Sequence, residues 1–351
     1  MVEWKKLGEV CMIKTGKGIT QKDCSDSAPY PVISGGQSPM GMYKDYNREA
    51  NTTTISRVGA YAGYVSFITE KFYLNDKCFS IIPVNNNLEP LYLYLFLKSI
   101  EENIKKLQSE GGVPTINTQK LANLLIPIPS LQEQERIVGI LDTFTASIDN
   151  LKEQIAQRRK QYEHYRDQLL DIEGKPGVEM KTLGEICNNL DYKRKPITSS
   201  KRVAGIYPYY GASGIVDYVE SYIFEGDYLL VSEDGANLLM RTTPIAFSIK
   251  GKNWVNNHAH VLEFDNKATQ KYVEIYLNMI DLSPWINGAA QPKLNQANLN
   301  IIEIPIPPLS EQQRIVSILD TFEASIANLE AQLAERQKQY EYYGNKLLSF
   351  E

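Results

Sequence analysis

Two short stretches carry residue types that could do chemistry at a usable spacing. His258-Ala-His260 would set two imidazoles on one face of a strand, as a metal site or a polar contact requires. No third ligand is evident in the sequence, so a strand-surface or contact role fits better than a metal. The stretch "DIEGK" at 171–175 has the Glu-x-Lys spacing found in nucleases, but it coincides with a helix stop, where such residues are ordinary. The Asn-Pro-Pro-Tyr signature of amino-methyltransferases is absent, with its Asp variant, and so is a phosphate-cradling GxxxxGK[ST] loop. Cys11, Cys24, Cys78 and Cys187 are scattered without a CxxC pair, as expected of free thiols in a reducing compartment. Nothing here amounts to an active site.

The 351 residues suggest two or three domains, and 43% hydrophobic content can fill real cores. The start, "MVEWKKLGEV", has no apolar run of signal-peptide length, and no stretch reaches the roughly 18 apolar residues of a membrane span. A soluble cytoplasmic protein without membrane association is expected. The net charge of −5 argues against a free-standing nucleic-acid binder. Residues 131–173 carry 9 acidic and 6 basic side chains and 309–351 carry 7 and 4, so each segment is −3 and the rest of the chain is +1.

Those two segments are an internal repeat. Aligning 126–172 with 304–350 gives 30 identities in 47 positions, at an offset of 178. Apolar residues in the first copy fall at Ile137, Leu141, Phe144, Ile148, Leu151, Ile155, Tyr162, Tyr165 and Leu169, a 4-3-4-3 rhythm interrupted by Arg158. The second copy matches with Ile315, Leu319, Phe322, Ile326, Leu329, Leu333, Arg336, Tyr340, Tyr343 and Leu347. A heptad stripe of this length predicts a coiled-coil helix in each copy, about 50 Å of paired seam at 1.5 Å per residue. "IPIPS" and "IPIPPLS" bar the helices from extending backwards, and Ser130-x-x-Glu133 and Ser310-x-x-Gln313 fit capping boxes. Arg158 and Arg336 occupy the same seam position; each either snorkels to the seam edge or fixes the register.

The intervening segments, 1–130 and 174–308, form a diverged pair. Both open on a similar phrase, "EWKKLGEVC" and "EMKTLGEIC". Both hold short β-like runs ("TTTIS", "YVSFI", "CFSIIPV"; "YLLVS", "PIAFSI", "HVLEF") and one helical stretch, 91–107 and 269–280. Each closes on a small-residue loop with proline and asparagine, "GGVPTIN" and "GAAQPKLN". The fold class expected is α+β: two similar globular domains separated by two long coiled-coil helices. The order globe, helix, globe, helix requires the helices to run antiparallel, giving a pseudo-two-fold dumbbell.

"IPIPSLQEQERIVGILD" and "IPIPPLSEQQRIVSILD", in that alternation, resemble the specificity subunit of Type I restriction-modification systems, in which such strings close each target-recognition domain and lead into a helical spacer. The resemblance covers essentially the whole chain. It implies recognition domains at 1–130 and 174–308, spacers at 131–173 and 309–351, and a non-catalytic role. Each domain would read one half of a bipartite site in double-stranded DNA, with the spacers setting the gap. Two methyltransferase subunits would dock, and restriction subunits would add cleavage. The chain itself would need no cofactor, with S-adenosylmethionine, ATP and Mg expected on those partners. A non-enzymatic coiled-coil scaffold and a detached recognition half of a single-chain restriction enzyme are the other readings.

Identical non-seam positions suit two copies of one partner: Glu133/Glu311, Gln134/Gln312, Arg136/Arg314, Thr143/Thr321, Ser147/Ser325, Asn150/Asn328, Lys160/Lys338 and Gln161/Gln339. Recent duplication or local recombination would preserve them too. Reading bases calls for forked or bidentate groups on loops, and gripping phosphates calls for cations, hydroxyls and bare amides. In the first domain the candidates are Lys14, Thr15, Lys17, Ser34, Gly36, Gln37, Arg57, Lys77, Thr115 and Asn117. In the second they are Lys193, Arg194, Lys195, Ser199, Lys201 and Arg202 of "DYKRKPITSSKR", then Tyr209, Tyr210, Ser213, Arg241, Asn256, His258, Gln291, Lys293 and Asn295. Domains that share a frame but not loop residues should read unlike sequences, hence an asymmetric site.

Overall fold

The computed structural model describes residues 2–109, 112–288 and 291–350. Residues 110 and 111 of the first small-residue loop and 289 and 290 of the second lie outside the described residues. The chain divides into two compact units, Met1–Glu153 with Glu330–Glu351, and Gln154–Leu329.

In the first unit, strand Glu3–Lys6 pairs antiparallel with Leu125–Ile128, tying the start of the globe to the approach of its helix. A four-stranded antiparallel sheet follows in the order Cys11–Thr15, Cys78–Pro83, Thr52–Ser56, Val65–Ile68. Helix Pro90–Ser99 packs on its last two strands. Pro90 suits the first helical turn because its missing N–H would be unpaired there anyway. The expected helix over 91–107 is broken at Ile100, and a second short helix, Glu101–Lys105, follows. A separate small sheet orders Met42–Tyr43, Tyr30–Ile33, Tyr73–Leu74, with the last pair parallel.

The second unit repeats this plan on a larger sheet. Strand Glu179–Thr182 pairs with Glu303–Ile306. Six strands run in the order Asn188–Asn189, Ala259–Glu263, Phe224–Ser232, Ala246–Val255, Ala204–Gly211, Gly214–Val219, backed by helix Lys267–Met279. The cores correspond in detail: buried Tyr92 donates its hydroxyl to Pro127 O at 3.0 Å, and buried Tyr272 donates to Pro305 O at 2.7 Å.

The two long helices, Leu131–Leu170 and Leu309–Leu348, have 40 residues each, about 60 Å. Within the first unit Ile137 and Leu141 share a core with Leu348, and Phe144 stacks on Tyr343 at 5.4 Å, so the helices are antiparallel there. Within the second, Leu170 shares a core with Ile315 and Leu319, and Tyr165 stacks on Phe322 at 5.3 Å. Both pairings have one register, since Phe322 and Tyr343 stand 178 positions after Phe144 and Tyr165.

The seam arginines do not snorkel to the edge. Arg158 sits over the Phe322 ring at 5.7 Å and Arg336 over Phe144 at 5.5 Å, half-buried cation–π contacts across the seam rather than side chains at its edge. The capping is also simpler than expected. Ser130 Oγ accepts from Glu133 N at 3.3 Å, but the Glu133 carboxylate goes to Arg136 instead of reaching back. The second helix starts at Leu309, with Pro308 O accepting from Glu311 N, so Ser310 lies inside the helix and caps nothing.

Candidate nucleic-acid interface

Loops far apart in sequence converge in each unit on one backbone frame. Four hydrogen bonds define it, and each occurs twice. Arg57 N donates to Lys77 O at 2.8 Å, and Glu233 N to His258 O at 2.9 Å. Gly59 N donates to Pro114 O at 3.0 Å, and Gly235 N to Pro292 O at 3.1 Å. Ile116 N and Leu294 N donate to Arg57 O and Glu233 O, both at 2.8 Å. Asn75 N donates to Ile33 O at 2.8 Å, and Asn256 N to Tyr210 O at 3.1 Å. Gly59 and Gly235 take φ of +109° and +106°, a region L side chains rarely enter, which accounts for glycine at both corners.

The frame is shared and its side chains are not. Position for position, Arg57 corresponds to Glu233 in the other unit, Lys77 to His258, and Thr115 to Lys293. In the first unit the frame carries Arg57 and Lys77 and is flanked in sequence by Ser34 and Thr115, with Gly36 and Gln37 following Ser34 in its loop and the Lys17 N–H donating to Leu74 O, beside Asn75, at 3.1 Å. Arg57 lies 5.8 Å from the Phe79 ring and reaches Asp76 O at 3.4 Å, with no carboxylate partner among its described contacts. Ser34 is buried, while Gly36 and Gln37 after it are exposed. Exposed Lys14 lines a different groove with Tyr46, Arg48 and Asn85, and Thr15 O is held by Arg48 at 3.0 Å.

In the second unit several candidates are spent internally. Arg194 binds Glu233 at 2.6 Å, Ala259 O at 2.8 Å and Asp191 at 3.2 Å, and its side chain is only 13% exposed. A guanidinium with those acceptors is a buried strut, not a loop contact. Arg241 donates to Leu238 O at 3.1 Å within its own loop and to Leu277 O and Ile280 O at 3.3 and 2.9 Å, filling carbonyls at the end of helix Lys267–Met279. Arg202 binds Asp217 at 3.2 Å and lies 4.4 Å over Tyr209, which is itself buried with its hydroxyl accepting from Ile197 N. Buried Asn256 accepts from His258 N at 2.8 Å, and half-buried Tyr210 supplies the frame carbonyl. Asn117 and Asn295 cap the short helices Thr118–Ala122 and Gln296–Asn300. Lys193, Lys195, Ser199, Lys201, Ser213, Gln291 and Lys293 are exposed.

His258 and His260 do not share a strand face. His258 stands in the turn before strand Ala259–Glu263, half exposed and paired with Asp234 at 2.8 Å. His260 is buried; Nδ1 meets Asp191 at 2.6 Å and Nε2 meets Leu294 O at 2.7 Å. A backbone carbonyl can only accept, so Nε2 donates to Leu294 O, while Nδ1 meets a carboxylate that also accepts from Val261 N and Arg194. Asp191, Glu233 and His260 lie close enough to hold an ion together, yet both imidazole nitrogens are engaged, by Asp191 and Leu294 O, and Glu233 divides its oxygens between Arg194 and Lys293. Burial raises both carboxyls, but hydrogen bonds from His260 to Asp191, and from Arg194 and Lys293 to Glu233, outweigh it and hold each below the usual carboxylate range. The cluster is an ion-pair network. Burial pushes the Cys11, Cys78 and Cys187 thiols up to about 12, away from nucleophilic use. "DIEGK" forms the turn that stops the first long helix, with Gly174 at φ +72°.

On the helices, Glu133 grips Arg136 through two bonds at 2.6 and 2.8 Å, and Glu311 grips Arg314 at 2.7 and 2.8 Å, four half-buried or exposed side chains in matching places. Thr143 and Thr321 are exposed and bond back to Gly139 O and Ser317 O. Ser147, Ser325 and Gln339 are half-buried; Asn150, Asn328, Lys160, Gln161 and Lys338 are exposed. Gln134 and Gln312 are buried instead. Their amides donate to Pro129 O at 2.9 Å and Pro307 O at 2.8 Å, fastening each helix to its own globe, so they are not partner-facing. Sequence reasoning missed Asp191, Glu233 and Asp234; aligning "ISRVG" with "VSEDG" would have marked the last two as frame positions.

Residues 1–158 and 176–336 match the family model described as Type I restriction modification DNA specificity domain. The chain is 43% identical over 182 residues to the Haemophilus influenzae protein named "Putative type I restriction enzyme specificity subunit S.HindORF215P", a match spanning 50% of this chain and 47% of that one. It is 28% identical over 388 residues to the Escherichia coli type I restriction enzyme EcoR124I/EcoR124II specificity subunit, covering 99% and 94%. In fold it is similar to the crystal structure of a Type-I restriction-modification system S subunit from M. genitalium, with TM-score 0.71, 19% identity and 100% and 97% coverage. No helix among the described residues is long and apolar enough to cross a membrane. With two globes that share one frame, paired long helices and these likenesses, the chain belongs to the Type I restriction-modification specificity subunits, the non-catalytic DNA-specificity component of those complexes.

Proposed function

We propose that 1–130 and 174–308 are target-recognition domains, each reading one half of an asymmetric, gapped site in double-stranded DNA, while the helical segments 131–173 and 309–351 set the gap. The observation that carries this reading is the frame repeated bond for bond with Arg57, Lys77 and Thr115 in one copy and Glu233, His258 and Lys293 in the other. A common frame supports the same docking geometry, and the unlike side chains it leaves exposed, Lys77 in one domain and His258 in the other, suit unlike bases, while Glu233 serves the frame from within. Exposed Lys17 and Lys77 in the first domain and Lys193, Lys195 and Lys201 in the second suit phosphate contacts, whereas Lys293 is paired with Glu233 at 3.0 Å.

The duplicated Glu133–Arg136 and Glu311–Arg314 pairs support docking of two methyltransferase subunits in equivalent ways, with restriction subunits joining that assembly. S-adenosylmethionine, ATP and Mg belong to those partners. At a net charge of −5, the isolated subunit should bind DNA weakly and the complex tightly, because the partners supply much of the positive surface. The test is a single-molecule methylome of the host with the gene intact and deleted. Loss of one asymmetric gapped N6-methyladenine motif is expected, and exchanging 1–130 for another domain should change one half of it. A palindromic motif, or an unchanged methylome with the methyltransferase expressed, would overturn the reading.

A further inference from the structure

The loop that follows the frame glycine in the second globe ends in an apolar tip. Leu238 is buried and anchors the loop, while Leu239 and Met240 beside it are 47% and 68% exposed. The tip is tied down firmly. The Asn237 amide accepts from Thr243 N at 3.1 Å and donates to Thr243 O at 3.0 Å, closing the loop on itself. Arg241 holds a left-handed backbone, φ +51°, and its guanidinium locks the loop to the end of helix Lys267–Met279 through Leu277 O and Ile280 O. Left-handed, non-glycine backbone of this kind persists only where surroundings enforce it. The loop leaves the frame at Gly235, whose N–H is held by Pro292 O beside Lys293, so it springs from the frame assigned above to DNA.

Resting on that half-site reading, we propose that Leu239 and Met240 form a prong that reads a thymine by packing against its C5-methyl group in the major groove. Base edges there present hydrogen-bonding atoms except at that methyl, which makes it the one sequence-specific partner an apolar side chain can select. Rigidity matters because a mobile prong would lose side-chain and loop entropy on binding. In the first globe the loop after Gly59 is shorter and presents Tyr61, 46% exposed, so the two domains carry chemically different tips in the same place on the frame.

The experiment uses the specificity subunit assembled with its methyltransferase partners, on duplexes carrying its own gapped site. Each thymine is replaced in turn by deoxyuridine, which removes only the methyl group. One such replacement, in the half read by the second domain, should weaken binding about fourfold, the effect of one methyl-sized burial. In Met240→Ala, and in the Leu239→Ala/Met240→Ala pair, that same replacement should cost nothing, while discrimination in the other half is unchanged. Insensitivity at every thymine in the wild-type complex, or a sensitivity that survives in both variants, overturns the proposal. If the wild-type complex binds no gapped duplex, the half-site reading itself has failed.

Discussion

Replacing His260 by alanine removes the centre of the second unit's buried polar network and leaves Asp191, whose side chain is 5% exposed, short of its nearest side-chain partner. Breaking a buried pair from one side costs about 3–5 kcal/mol. Asp191 keeps Val261 N at 2.9 Å and Arg194 at 3.2 Å, which places the loss near the lower end, about 3 kcal/mol. For a unit of this size that lowers the melting temperature by about 6–12 °C. The pH dependence has a definite sign. A carboxyl held below its ordinary value stabilises the fold above the unfolded pKa and loses that contribution as pH falls through the folded one. The gap between wild type and His260→Ala should therefore be full at neutral pH and close on acidification below about pH 4. Differential scanning calorimetry of both chains across that range measures it. A neutral-pH drop under about 2 °C, or a gap that persists undiminished in acid, would refute the ion-pair account.

Three further outcomes separate the free cations from the committed ones. Arg57→Ala should weaken DNA binding by the assembled complex and lower the slope of log affinity against log salt by about one, read by titration at several salt concentrations. Arg194→Ala should instead lower thermal stability by about 3 kcal/mol, because it strands Glu233 and Asp191; a salt-slope change without destabilisation would contradict the buried role. Glu133→Ala/Arg136→Ala should reduce the bound methyltransferase from two copies to one by native mass spectrometry, with melting little changed, since exposed pairs contribute about 0–1 kcal/mol.

Much of the architecture was legible in the residues. The 4-3-4-3 rhythm of Ile137 through Leu169 and of its copy predicts long helices, and the alternation of helices with globes requires them to be antiparallel, because periodicity and chain order are local properties that tertiary contacts seldom override. The strands "TTTIS", "CFSIIPV" and "YLLVS" were equally plain from β-branched and aromatic runs between turn residues. The break at Ile100 was not, since the apolar pattern runs on through it.

By itself, then, the sequence determined the duplicated plan, the helical pairing and the family to which the chain belongs. Only the tertiary structure decided which polar side chains remain available. Arg57, Arg194 and Arg241 look alike as loop arginines, but Arg194 meets Glu233 across 39 positions and Arg241 meets Leu277 O and Ile280 O across 36 and 39. Gln134 and Gln312 look like surface repeats until the proline carbonyls at the mouth of each helix take their amides inward. A charged or amide group is free only if no acceptor reaches it, and those acceptors arrive from segments that folding alone brings together.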